Sequence, residues 1–342
     1  MSLDPRDALK TVSTAGNEST LSEAGEGSER EQAKAANNAA DSSLTGELME
    51  RVVAHDNLQL ALHKVCSNKG APGVDGMTYD ELKPWLQANE DKLRKQLLSK
   101  HFHPQPVRRV EIPKAGGGSR FLGIPTVIDR LVQQAVLQVL QPLLDPQFSD
   151  SSFGFRPSRS AQQAIERAQR YLDDGYVWVV DIDLDAFFER VHHDVLMARV
   201  ARRISDKRVL KLLRAFVESG VLVQGVVMNR EDGTPQGGPL SPLLANVLLD
   251  DVDKELEARG HRFVRYADDC NVYLHSERAA QRVFQSLRKS YERLRLRINE
   301  DKSAVGLAWG RKFLGFTFER KEEGITLEIS ERSRKRLREK IV

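Results

Sequence analysis

The stretch HRFVRYADDCNVYLHS (261–276) decides the fold. Two short runs rich in Val, Tyr, Phe and Leu flank Ala267-Asp268-Asp269, and this pattern predicts two β-strands joined by a tight turn. Such a turn sets both carboxylates at one exposed end of a sheet. Asp is also a common turn residue for purely local hydrogen-bonding reasons, so an isolated acidic pair leaves a structural reading open.

A second stretch shifts the balance. In VWVVDIDLDAFFERV (177–191), a near-continuous apolar run leads into Asp181, Asp183 and Asp185. The run predicts a strand buried on both faces, and strand alternation places the three acids on one face. Like charges at the end of a buried strand repel one another unless a cation compensates. Magnesium suits an open cluster of this kind, because it takes a few carboxylates and completes its shell with water and phosphate oxygens. Two such ions about 3.5–4 Å apart can activate an attacking hydroxyl and stabilise a departing pyrophosphate, which is nucleotidyl transfer.

Working outward, apolar spacing predicts a helix over Leu48–Val65, then a glycine-punctuated loop NKGAPGVDGMT (68–78) and a helix over Asp80–Leu98. VRRVEIPK (107–114), AGGGS (115–119) and RFLGIP (120–125) predict a hairpin. Lys114 and Arg120 flank its turn, as cations that close over a triphosphate would, whereas Arg108 and Arg109 read as solvated charges. Helices are expected at Asp129–Leu144, Ser160–Leu172, 208–220, from the 231–242 loop through Val252, and at Ala279–Leu296. A last hairpin joins KFLGFTFER (312–320) to GITLEIS (324–330). Strands and helices in mixed order, with an antiparallel hairpin at the sheet centre, predict an α+β fold.

Composition sets the bounds. The 342 residues are 40% hydrophobic, enough for a substantial core, and net charge is +3. That charge is uneven: residues 1–45 hold four Lys/Arg against eight Asp/Glu, leaving 48 against 41 elsewhere. The remainder is mildly basic, compatible with nucleic acid but not diagnostic. Residues 1–45 are polar and predict a tail without a packed core. Two cysteines, Cys66 and Cys270, exclude a disulfide framework and a zinc site. No apolar segment predicts a leader or a membrane span, so a cytoplasmic protein with no membrane partner is expected.

Taken in order, GAPGVDG (70–76), IPK…RFLGIP with DR and QQA downstream (112–135), FGFRPSRSA (153–161), VDIDLDAFF, TPQGGPLSPLLANVLLD (234–250), YADD, LRINEDKS (296–303) and FLGF (313–316) resemble the successive blocks of group II intron-encoded reverse transcriptases. The resemblance covers roughly residues 46–330. It implies a right-hand polymerase of fingers and palm, the palm a central antiparallel sheet flanked by helices. The implied boundaries are fingers at 46–176, palm at 177–330 with a helical insertion about 206–233, and the start of a truncated thumb at 331–342. No endonuclease pattern is present.

The implied activity is RNA-directed DNA synthesis from a primer 3′-hydroxyl, with dNTPs and two Mg2+ ions, or Mn2+ as an alternative. RNA template, DNA or RNA primer and structured intron RNA are the implied partners. Asp183, Leu184, Asp268 and Asp269 are the implied metal site, with Asp181 the competing choice for Asp183. Phe188, five positions after Asp183, matches the gate against a 2′-hydroxyl; packing is its alternative. Lys302 matches the lysine that protonates pyrophosphate. Lys114, Arg120, Leu184, Phe188, Gln236 and Gly237 are the implied nucleotide contacts. Lys69 and Arg156 are the implied template contacts, with a structural role open for Arg156. Phe313, Leu314 and Gly315 match the primer grip. Phe121 stands where the family has Pro, a change expected to leave Arg120 in place. An RNA-binding maturase core with vestigial chemistry and a different palm nucleotidyltransferase are the rival readings.

Overall fold

The computed structural model describes residues 46–113, 119–223, 226–228, 233, 237–322 and 324–341. The described residues from Glu47 onward pack as one unit. The element order is α1 (Leu48–Val52), α2 (His55–Ser67), α3 (Leu82–Leu98), β1 (Val107–Pro113), β2 (Ser119–Ile124), α4 (Val127–Leu144), α5 (Ala161–Asp173), β3 (Trp178–Ile182), α6 (His193–Ala201) and α7 (Lys207–Val217). It continues with β4 (Val221–Val223), β5 (Val226–Met228), α8 (Ser241–Ala258), β6 (Arg262–Tyr266), β7 (Asp269–Leu274), α9 (Glu277–Arg293), β8 (Ala304–Leu307), β9 (Lys312–Phe313), β10 (Phe316–Lys321), β11 (Gly324–Ile329) and α10 (Glu331–Ile341).

Local chemistry fixes several boundaries. Thr126 caps α4 by accepting from the Asp129 amide, and Ser160 and Gln163 form a reciprocal capping box that starts α5. The helix expected over 48–65 is two helices, because the Asn57 side chain takes the Val52 and Ala135 carbonyls and the chain turns at Val53–Ala54. Helix α6 and the short strands β4, β5 and β8 carried too little periodicity to be expected.

The central sheet has the order β6-β7-β3-β8, antiparallel throughout. Asp181 lies opposite Asn271 and Ile182 opposite Cys270, so the chain leaving β3 at Asp183 runs beside the start of β7 at Asp269. Alternation then splits the faces. Val180, Ile182, Cys270 and Val272 share a core with Val283, Phe284 and Leu287 of α9 and Leu244 and Leu248 of α8. Val179, Val264 and Tyr273 share a second core with Ala164 and Ile165 of α5 and with Phe313 and Phe318. Asp181, Asp183 and Asp269 therefore belong to the face turned away from α9. A second sheet, β2-β1-β4-β5, holds the expected hairpin, with Ile112 paired to Arg120.

Candidate active site

The Tyr266–Asp269 pair closes a two-residue turn made of Ala267 and Asp268. Ala267 has φ +59°, a left-handed conformation usually left to glycine. What holds it there is buried polar structure. Arg265 is 1% exposed and Asp253 of α8 0%, and they share a bidentate ion pair at 2.6–3.0 Å. The same guanidinium donates to the Ala267 carbonyl at 2.8 Å and to the Asn246 side chain at 2.9 Å. The Asn246 amide in turn donates to the Gly154 carbonyl at 3.0 Å. Asn246, Asp250 and Asp253 fall on one face of α8 at helical spacing, and Asp250 accepts from the Ser149 amide. Gly154 lies flat against the turn: a Cβ there would sit 2.1 Å from the Ala267 nitrogen.

Asp183 is held from the other side. Its amide donates to Ser303 Oγ at 3.0 Å, and its carbonyl accepts from the Asn299 amide at 2.9 Å and from Ser303 Oγ at 3.2 Å. The loop after α9 thus clamps the Asp183 backbone while carrying Lys302, whose Nζ lies 3.4 Å from Asp183 Oδ1. Leu184 is buried and bridges to Ile298. Asp185 turns aside and pairs with Arg190 at 2.8 Å.

An open cleft results, lined by Asp181, Asp183, Asp269, Lys302, Lys312 and the 313–315 turn, with Asp268 on the turn beside it. Limited hydration, followed by the charges of Asp268, Asp183 and Asp181, pushes the Asp269 carboxyl up to about 7. Burial, opposed by Arg311 and reinforced by Asp183, raises Asp181 to about 6. Burial and Asp183 also raise Asp268, against its own backbone amide. These groups work against one another as they stand, and a divalent cation bound among them would relieve that repulsion. Among the described residues no group of three or more His, Cys, Asp or Glu side chains is placed to hold a metal ion by itself.

The remaining expected residues divide. Phe188 follows the buried Phe187, is half-buried and packs edge-on to it at 5.1 Å. Gly237 has φ +139° and fits against the Gly123 carbonyl, where a Cβ would lie at 2.6 Å, so this loop touches the β1–β2 hairpin. Leu314 and Gly315, both at positive φ, form the two-residue turn between β9 and β10, and Ser333 of α10 donates to the Gly315 carbonyl. Exposed Lys69 occupies a left-handed position after α2, remote in sequence from the cleft residues. Lys114, Gln236 and the Arg120 side chain lie outside the described residues.

Two expectations are corrected. Arg156 is buried, pairs with Asp145 at 2.8 Å and donates to the Ser149 and Ser152 carbonyls, so its donors are spent inside its own loop and not on a template. Arg108 is no free surface charge: its Nε donates to the Pro72 carbonyl and ties the 68–78 loop to the hairpin. Arg109 does stay outside, stacked over the Phe121 ring at 3.3 Å.

Residues 112–318 match the family model described as reverse transcriptase (RNA-dependent DNA polymerase). The chain belongs to the reverse transcriptase family. Its relatives include Protein YkfC of Escherichia coli K12, 41% identical over 228 residues, which are 65% of this chain and 60% of that protein. The group II intron-encoded protein LtrA of Lactococcus lactis is 36% identical over 200 residues, covering 58% of this chain and 33% of LtrA. The expected kinship with group II intron proteins holds, and the chain spans about 60% of the first relative's length and a third of the second's. Apo telomerase from Candida tropicalis shares the fold at a TM-score of 0.50 and 14% identity, over 64% of this chain and 47% of that one. The architecture is thus the right-hand one, with the central antiparallel sheet as its palm. No described helix is long and apolar enough to cross a membrane.

Proposed function

We propose that this reverse transcriptase copies an RNA template into DNA, extending a primer 3′-hydroxyl with dNTPs. The observation that carries the reading is the meeting of Asp183 and Asp269 across the β3–β7 pair, with Asp268 on the adjoining turn and Lys302 3.4 Å from Asp183. A protein that only binds RNA has no physical reason to gather like charges where a polyanion must lie.

Asp183, Leu184, Asp268 and Asp269 are the residues that would hold two Mg2+ ions, or Mn2+ in their place. Bound there, the ions would lower the pKa of the primer hydroxyl and neutralise charge on the leaving pyrophosphate. The chain's own groups supply the rest. Lys302 stands where it can stabilise and protonate pyrophosphate as it departs. Phe188 supports the nucleotide sugar and crowds a 2′-hydroxyl, favouring dNTPs. The 313–315 turn would press the primer end toward the carboxylates, and Lys114, Arg120, Gln236 and Gly237 would complete the nucleotide pocket. Lys69 would touch the template, and structured intron RNA is a further partner.

The test is primer extension on matched RNA and DNA templates, supplied with dNTPs or NTPs and Mg2+. Templated dNTP incorporation on RNA supports the reading. Absence of incorporation by well-folded protein that still binds RNA supports the maturase-core alternative instead.

A further inference from the structure

Helix α9 buries one side and leaves the other exposed among the described residues. Ala280, Val283, Phe284, Leu287, Ser290 and Tyr291 are its buried residues. At about 100° per residue, Arg278, Arg282, Lys289 and Arg293 fall within about 60° of one another on the opposite side. All four are exposed, and Glu292 is the one acid that shares their face. Arg293 is committed to Glu255, but Arg278, Arg282 and Lys289 make no ion pair or hydrogen bond among the described residues. On α6 and α7 the helix arginines are matched, Arg199 and Arg202 by Asp251, Arg208 by Glu50 and Asp206, and Arg214 by Asp194 and Glu218. Arg51, Arg94, Arg167 and Arg170 on other helices have no ion pair among the described residues but do not line up as a row with the α9 cations.

The three free cations span about 16 Å along the helix axis. They point away from the sheet, and α9 itself packs on the face opposite Asp181, Asp183 and Asp269. A primer–template duplex seated on the carboxylates therefore has the sheet and a helix between it and these cations.

We propose that the outward face of α9 is a second RNA-docking surface, which grips backbone phosphates of a structured RNA while the carboxylate cleft holds primer and template. Only the choice of RNA as the polyanion rests on the proposed function. A row of unpaired cations reads phosphate spacing and charge but no bases, so the contact is sequence-independent and salt-sensitive. It would let the protein stay attached to a folded RNA while copying another part of it.

The test uses the full chain and a 3′-blocked RNA stem-loop, which cannot be extended, followed by fluorescence anisotropy over a salt series. Arg278→Glu/Arg282→Glu/Lys289→Glu is expected to weaken stem-loop binding at least tenfold at low salt. It should also reduce the slope of log affinity against log salt by about 2 to 3, from three lost phosphate contacts. Primer-extension rate and the KM for primed template should stay within about twofold of wild type. Saturating primed template should leave stem-loop binding intact on the wild-type chain. Unchanged stem-loop affinity and slope in the variant, or displacement by primed template, would overturn the proposal. Should charge reversal abolish the melting transition, Arg278→Gln/Arg282→Gln/Lys289→Gln decides by the same two readouts. A chain that incorporates no dNTP yet shows the full stem-loop response would fail the polymerase reading and keep this one.

Discussion

Gly154→Ala is the sharpest probe of how the acidic turn is held. The added Cβ would meet the Ala267 nitrogen at 2.1 Å, the Tyr266 carbonyl carbon at 2.9 Å and Ala267 Cα at 3.0 Å, all backbone. No rotamer relieves such a clash, so the loop and the turn must part by more than about 1 Å to reach ordinary contact. The loop is the less free to move. The Phe153 and Arg265 amides bond across to the Arg265 and Ser151 carbonyls at 2.8 Å, and Arg156, two residues beyond Gly154, pairs with Asp145. The displacement should fall on Ala267, already at φ +59°, and on the two carboxylates that follow it. Misplacing reacting groups by about 1 Å costs roughly a hundredfold in rate, equivalent to about 2.7 kcal/mol of barrier. Overpacking should cost stability about 1–3 kcal/mol, a few degrees in Tm. The assay is single-turnover extension of a primed RNA template, with primer–template Kd and thermal melting measured on the same protein. A hundredfold slower step with Kd within threefold of wild type is expected. A wild-type rate in a folded variant would refute the reasoning, because the loop would then be the part that yields.

Other consequences follow from the same geometry. Asp253→Ala leaves the Arg265 guanidinium buried without its counter-charge and should cost about 3–5 kcal/mol, whereas the paired change Asp253→Leu/Arg265→Met should cost less; chemical denaturation compares them. Phe188→Ala should raise NTP incorporation relative to dNTP by about tenfold, read as the ratio of kcat/KM values; an unchanged ratio would make Phe188 a packing residue. Asp129, buried at the start of α4, titrates at about 6 against an ordinary 3.8. Its folded form thus holds a proton that the unfolded chain has released between about pH 4 and 6. Stability from this group is full below about pH 4 and is lost as pH rises through about 6, worth at most about 3 kcal/mol. Asp129→Asn, which keeps an acceptor for Thr126, should flatten that part of the stability–pH curve.

The parts of the fold legible in the sequence were those with strong periodicity or turn chemistry. The β6–β7 hairpin, the strand ending in acids and the helix opening at Ser160 all carry local signals, and each lies within a residue or two of its expected place. The buttress beneath the turn was not legible, because Arg265, Asp253, Asn246 and Gly154 are brought together only by the packing of α8 against β6. Asn246, Asp250 and Asp253 do recur at helical spacing within an otherwise apolar helix, and that polar stripe was the available signal. Arg156 misled for a related reason: an Arg in an aromatic loop looks like a phosphate contact until its own carbonyls are seen around it. Phe121 shows tolerance of a different sort. On β2 it is half-covered by Arg109 and leaves the Ile112–Arg120 register intact.

The central claim is that Asp183, Asp268 and Asp269 carry the chemistry and do not merely shape the turn. The most direct measurement is Asp268→Asn, with primer extension and primer–template affinity determined side by side in Mg2+. The substitution keeps the volume of the side chain and removes its charge. Extension should be abolished while affinity stays within a few-fold of wild type. Extension that persists, or affinity that falls together with it, would contradict the account.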